Sequence, residues 1–270
     1  SYTVKYLEQG TDKQLREPKI VDNQTFKAEV TENAVDIDGY DKVEPTSQTI
    51  VIDVTGNEIT FYYTKRTNLS YTVNYYEKGT NNKVAESRTI GGQTFGATVN
   101  EKAVEVKGYT PVDPTEQSIT ISTGENVINF YYERRTDIPY TVKYVEKATG
   151  KSLIEDKVVE NNTLGATVKE SAVKIDGYKA LDPTEQSLKI EAEGNVITFY
   201  YEKRNDLEYT VRYLEKGTDK VLAAEEKRTG KTFGETYEET AKSIDGYNPE
   251  KKTDKITVDK ESGNVLTFYY

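Results

Sequence analysis

Apolar and polar residues alternate at the start of the chain: Tyr2, Val4 and Tyr6 are interleaved with Thr3, Lys5 and Leu7. A period of two predicts a strand with one face on a core. Glu8 to Asp12 turns the chain, and the run carrying Leu15, Ile20 and Val21 is expected to pair back as a hairpin. Pro18 places that return strand at an edge or a bulge, because proline has no N–H to give to a ladder. At Val30, Ala34 and Ile37 the spacing changes to i, i+4, i+7, which puts three side chains on one helical face, with Gly39 where a left-handed C-cap would sit. This predicts a helix of about two turns, too short to stand without packing on a sheet. A turn at Pro45-Thr46 leads to Ile50 and Ile52, and Gly56-Asn57 then turns into Ile59, Phe61 and Tyr63, a second predicted hairpin.

The whole pattern recurs. Tyr-Thr-Val begins at Tyr2, Tyr71, Tyr140 and Tyr209, Phe-Tyr-Tyr ends at Tyr63, Tyr132, Tyr201 and Tyr270, and both series advance by 69 residues. A fixed period of this length means tandem copies of one folding unit, here expected at 1–70, 71–139, 140–208 and 209–270. Each copy is predicted to be α+β with the order ββαβββ, a β-grasp (ubiquitin-like) domain in which a small mixed sheet carries one short helix. The junctions hold Lys65-Arg66, Arg134-Arg135 and Lys203-Arg204, followed by Leu69, Ile138 and Leu207, and none contains glycine. Such segments are unlike flexible linkers, so the apolar residue is expected to pack between neighbouring domains and the array to form an elongated rod, the alternative being an extended but floppy string.

Composition closes several functional classes. The chain has no Cys and no His, which removes disulfide frameworks, zinc fingers, thiol nucleophiles and His-based triads. The net charge is -10 and no copy is net basic, so a phosphate-binding face for nucleic acid is not expected. No stretch reads as a signal peptide or a membrane span, and the chain does not begin with Met, as expected of a segment of a longer protein with no membrane insertion in this part.

The motifs Tyr140-Thr-Val-Lys-Tyr-Val-Glu-Lys, Asp176-Gly-Tyr, Asp182-Pro-Thr-Glu-Gln and Gly194-Asn-Val-Ile-Thr-Phe-Tyr-Tyr resemble the MucBP (mucin-binding protein) repeat, and the resemblance extends over all four copies. It implies tandem modules of cell-wall-anchored surface adhesins of Gram-positive bacteria, extracellular and attached through parts of the protein outside this segment. The partners it implies are host mucin glycoproteins or glycans. The fourth copy departs from the pattern: Lys252 replaces Pro45, Pro114 and Pro183, and Ile256 and Val258 match Leu188 and Ile190 only after a one-residue shift compensated at Glu261-Ser262-Gly263.

Within each closing phrase, Tyr62, Tyr131, Tyr200 and Tyr269 should face away from the core, where an aromatic ring can stack on a sugar or pack across strands. These four are the ligand candidates. Asp38-Gly39-Tyr40 and its counterparts could offer a carboxylate and an aromatic ring to a glycan but read first as helix-terminating turns, and Lys107 in place of the aspartate shows that a carboxylate there is not shared by all copies. Asp36 and Asp38 lack the spacing of an EF-hand or the cleft of a glycosidase dyad. No catalytic residue, metal site or cofactor is assigned. Asn57, Asn126, Asn195 and Asn264 recur, but no lysine recurs to crosslink them, so they are read as turn residues that tolerate left-handed backbone.

Two functions fit this reading. The array is either an adhesive module that binds mucin or related glycans weakly at each copy and gains strength from several, or a non-binding stalk that projects a separate adhesive domain. The chain is expected to be monomeric, with the edge strand near Pro18 the one place suited to lateral pairing.

Overall fold

A computed structural model describes all residues, 1–270, and contains no helix. The expected α+β, β-grasp arrangement is therefore corrected to all-β. In the first copy the strands are β1 (Tyr2–Glu8), β2 (Gln14–Val21), β3 (Glu29–Asn33), β4 (Tyr40–Lys42), β5 (Ser47–Val51) and β6 (Glu58–Lys65). They form a four-stranded sheet in the order β2-β1-β6-β4 and a separate ribbon of β3 and β5. β1 and β6 run parallel, and the other pairs are antiparallel.

The predicted helix fails for a specific reason. Burial alternates through Val30, Glu32 and Ala34, so the true period is two and the middle inward position is a glutamate. Glu32 is the inward residue that made Val30 and Ala34 look four apart on a helix. β3 pairs with β5 in register, Val30 opposite Ile50 and Glu32 opposite Gln48. Beyond β3 the chain is irregular, and its backbone groups are satisfied from elsewhere: Ala34 N–H donates to the Thr46 carbonyl at 2.8 Å, and the buried Tyr63 hydroxyl donates to the Val35 carbonyl at 2.9 Å. A carbonyl that would need a helical partner thus obtains one from a core side chain.

The first hairpin forms as predicted, with β2 at the sheet edge and an irregular register between the Val4–Lys19 and Tyr6–Arg16 pairs, which brackets Pro18. The second hairpin does not form, because β5 belongs to the ribbon and β6 to the main sheet. The inner face of the sheet buries Tyr2, Val4, Tyr6, Ile59, Phe61 and Tyr63 against Ala34 and Ile52. Equivalent apolar clusters centre on Val73 and Phe130, on Val142 and Phe199, and on Val211 and Phe268.

The chain divides into two compact units, Ser1–Arg134 and Arg135–Tyr270, each holding two copies. The junction residues Ile138 and Leu207 are buried in the core of the copy that follows them, and Leu69 packs on the core of its own following copy. They extend the first strand of that copy, which begins at Leu69, Ile138 or Leu207. Inside the first unit the junction backbone acts as a clip: Arg66 N–H donates to the Gly39 carbonyl (2.9 Å), and the Arg66 carbonyl accepts from Phe95 N–H (2.8 Å). The Phe95 ring lies over Gly39 so closely that a Cβ there would come within 2.3 Å of it, and it meets Tyr40 edge-on at 5.7 Å. The second unit repeats this contact with Arg204, Gly177, Tyr178 and Phe233, at the same 5.7 Å ring separation.

In the fourth copy, Ile256 pairs with Tyr237 where Leu188 pairs with Val168, and Val258 takes the buried place of Ile190. The one-residue shift read from the sequence is therefore present in the strand register.

Candidate functional site

Tyr62, Tyr131, Tyr200 and Tyr269 sit on the face of the main sheet opposite the core and are 38%, 44%, 48% and 38% exposed. Alternation explains this placement, because Phe61 and Tyr63 on either side point inward. In the parallel register each candidate stands beside an apolar, half-buried residue of the first strand: Leu7, Tyr76, Val145 or Leu214. Tyr131 and Tyr76 bring their ring centroids to 6.3 Å. Each copy thus presents one exposed ring backed by one apolar neighbour, a platform suited to stacking on the apolar face of a sugar. Tyr269 also borders a shallow depression of about 230 Å³ lined by Glu250, Lys251, Asp254 and Thr267. The structure does not bring the four tyrosines together within any one copy.

A second group recurs in every copy and was not found in the sequence. The Tyr2 hydroxyl donates to Glu32 Oε1 at 2.6 Å, and the pairs Tyr71–Glu101, Tyr140–Glu170 and Tyr209–Glu239 have the same length. Each carboxylate also meets a cation of the second strand: Lys19 at 2.5 Å, Arg88, Lys157 at 2.7 Å and Arg228 at 2.8 Å. The cluster ties the main sheet to the ribbon. The bonds from Lys19 and Tyr2 hold Glu32 below the usual carboxylate range against the opposing effect of burial, and Lys157 and Tyr140 do the same for Glu170. For Glu239, burial pushes upward most strongly, yet the bonds from Arg228 and Tyr209 outweigh it and the carboxyl is lowered. Burial and the bond to Glu170 push the Tyr140 hydroxyl up to about 12. The visible sequence signal was the glutamate itself, which recurs every 69 residues at 32, 101, 170 and 239.

The recurrent asparagines are also structural, but not through left-handed backbone, since none of the four has a positive φ. Asn126 Oδ1 accepts from Ser122 N–H at 2.9 Å, and its Nδ2 donates to the carbonyls of Ser122 (2.9 Å) and Ser70 (3.1 Å). Asn195 bridges Glu191 and Pro139 in the same way, and Asn264 bridges Lys260 and Glu208. The amide thus closes the turn before the last strand and ties it to the start of the first strand. The Asp38 carboxylate, considered above for a glycan, accepts from the Thr123 hydroxyl of the second copy at 2.6 Å.

The chain is 28% identical to Internalin J of Listeria monocytogenes serotype 4b (strain F2365) over 99% of its own length and 30% of that protein. It is 30% identical to Internalin I of the same strain over 70% of its length and 10% of that protein, so it spans less than a third of either relative. Among solved structures it is similar to the Bacillus anthracis TIE protein (11% identity, TM-score 0.31, 90% of this chain and 58% of that one). It is also similar to the type 2 repeat of the mucus binding protein MUB from Lactobacillus reuteri (14% identity, TM-score 0.18, 49% and 97%). The MucBP domain profile matches residues 71–133, 139–202 and 209–270, well over half of the sequence, and the chain belongs to the MucBP domain family.

Proposed function

We propose that this chain is a tandem-repeat segment of an extracellular bacterial surface adhesin, divided into repeats at 1–70, 71–139, 140–208 and 209–270, that binds host mucin or related glycans. The observation that carries this reading is the exposed tyrosine repeated at one register in all four copies, each beside an apolar neighbour. A single ring on an open sheet face offers little affinity, since even a well-placed aromatic ring pair contributes only on the order of 1 kcal/mol beyond its buried area. Several copies engaged on one polymeric glycoprotein multiply that weak contact through effective concentration. The mucus-binding repeat named among the structural neighbours fits the same class of ligand.

A stalk is the second reading, and one observation favours it. The recurrent Tyr–Glu pairs and asparagines are occupied within the fold, and the glutamates that also recur at 8, 77, 146 and 215 accept hydrogen bonds from within their own copies. The separating experiment is binding of the chain to immobilised mucin before and after enzymatic removal of the glycans, beside a variant with Tyr62, Tyr131, Tyr200 and Tyr269 all changed to Ser. Binding lost with the glycans and in the variant supports adhesion through these rings. Absence of binding by the unaltered chain leaves the stalk.

A further inference from the structure

The solvent faces of the four main sheets differ in the row beside the exposed tyrosine. In the first, third and fourth copies the position two before the tyrosine's apolar neighbour is a cation: Lys5, Lys143 or Arg212. The position two before the tyrosine itself is Thr60, Thr198 or Thr267. Lys5 pairs with Glu58 and Arg212 with Glu225, both at 2.6 Å, so ion pairs occupy this row in the first and fourth copies. The second copy instead has an amide at both places, Asn74 and Asn129, which the parallel register sets side by side.

Polar groups on this face of the second copy form one chain. Asn74 Nδ2 donates to Asn129 Oδ1 at 3.0 Å, Ser87 Oγ donates to Asn74 Oδ1 at 2.7 Å, and Lys83 Nζ donates to Ser87 Oγ at 2.8 Å. This network uses one of the four N–H bonds that the two half-buried amides carry and leaves the remainder to a ligand or water. The next row adds the rings. Only this copy has a tyrosine on both central strands, Tyr76 and Tyr131, with centroids 6.3 Å apart and planes tilted by 33°, where the other copies have Leu7, Val145 or Leu214 in place of Tyr76. Val112 flanks Tyr131 on one side and Lys83 flanks Tyr76 on the other, so the row crosses four strands. Two residues beyond the rings, Lys78 and Glu133 pair at 2.8 Å and neutralise each other.

A sugar without ionised groups offers an apolar C–H face and hydroxyls that both donate and accept. Aromatic rings meet the first and amides the second, because an amide carries donor and acceptor on one side chain, whereas an ammonium only donates and a carboxylate only accepts. We infer that Tyr76 and Tyr131, together with the amides of Asn74 and Asn129, form a saccharide subsite confined to the second copy, which takes two adjoining sugars that bear no charge. The inference rests on the adhesive reading above and gives it a dominant copy: the rings of Tyr62, Tyr200 and Tyr269 add weaker contacts, each beside an aliphatic neighbour.

The test is a titration of the full chain, followed by NMR of its side-chain amides, with oligosaccharides released from mucin and separated into neutral and acidic fractions. Two variants give the second copy residues that other copies already hold at these places: Asn74→Lys combined with Asn129→Thr, and separately Tyr76→Leu. The expected result is saturable shifts of the Asn74 and Asn129 amides with the neutral fraction, and an affinity at least about tenfold weaker in each variant that circular dichroism shows to be folded. Tyr62→Ser, in the first copy, should change that affinity by less than about twofold. Failure of the neutral fraction to shift these amides, while the chain still binds immobilised mucin, overturns the subsite and leaves the adhesive reading standing. Loss as large for Tyr62→Ser as for the second-copy variants also overturns it. So does binding that is confined to the acidic fraction or abolished by about 0.5 M NaCl, since it would then rest on a cation such as Lys83. Absence of any binding to mucin overturns both readings together.

Discussion

Changing Tyr2, Tyr71, Tyr140 and Tyr209 to Phe together removes one hydroxyl from the core of every copy and nothing else. Each hydroxyl donates at 2.6 Å to a glutamate whose side chain is only 13–15% exposed, so water cannot fully replace it. A hydrogen bond to an ionised acceptor contributes about 1.5–3 kcal/mol, and the partnering Lys or Arg retains part of the pairing, so the expected loss is about 2 kcal/mol per copy. Substituting all four copies avoids asking which copy unfolds first in an array that need not unfold in one step. With a urea slope of about 1–2 kcal/mol/M for a unit of this size, the unfolding midpoint should fall by about 1–2 M. The same substitution at Tyr62, Tyr131, Tyr200 and Tyr269, whose rings lie on the solvent face, should leave the midpoint within about 0.3 M of the original. The pH dependence provides a second readout. Glu32, Glu170 and Glu239 are lowered in the folded state, so their contribution is complete above the unfolded carboxyl value of about 4.3 and is lost as pH falls through the folded values. The gap between the original chain and the variant should therefore narrow below about pH 4. A midpoint shift under about 0.3 M at pH 7, with unchanged slope, would refute the assignment of these pairs as the tie between sheet and ribbon.

Three further outcomes follow from the same geometry. Raising the pH should destabilise the fold: Tyr140 is pushed up to about 12 and Tyr2, Tyr71 and Tyr209 upward, so the stability they contribute is complete below the unfolded value of about 10 and is lost as pH rises through the folded values, seen as a lower urea midpoint at about pH 11 than at about pH 9. Gly39→Ala adds a Cβ that would stand 2.3 Å from the Phe95 ring, and at φ +79° it also strains the backbone, so amide exchange at Phe95 and Gly96 should accelerate by at least about tenfold while the β1–β6 ladder stays protected. Asn126→Ala leaves Ser122 N–H and the Ser70 and Ser122 carbonyls without their partner at a site 8% exposed, and should cost about 2–3 kcal/mol in the second copy, measured as earlier exchange of the strand Val127–Arg134.

The amino-acid sequence by itself determined the copy number, the period, the inward faces of the first and last strands, the edge position of Pro18 and the shifted strand of the fourth copy. Those features are carried by alternation and recurrence, which are local or repeated and so appear in the order of residues. Membership of the MucBP domain family was legible for the same reason, because its motifs lie at fixed spacing along the chain. The outward placement of Tyr62 and its counterparts followed from their buried neighbours. Tertiary structure decided what alternation alone left ambiguous. Val30 and Ala34 fit a helix as long as Glu32 between them is taken as a surface residue, and it is Tyr2 of the first strand and Lys19 of the second, both distant in sequence, that make an inward glutamate tolerable. Ile50 and Ile59 resemble the arms of a hairpin, yet they join different sheets because β1 takes β6 as a parallel partner, a pairing across more than fifty residues that no local turn encodes. The contact of Phe95 with Gly39 depends likewise on two separate copies meeting. A hydrophobic pattern specifies which side of a strand is buried, while the strand or ring that covers it is chosen by the whole fold, where distant hydrogen-bond partners and close packing are brought together.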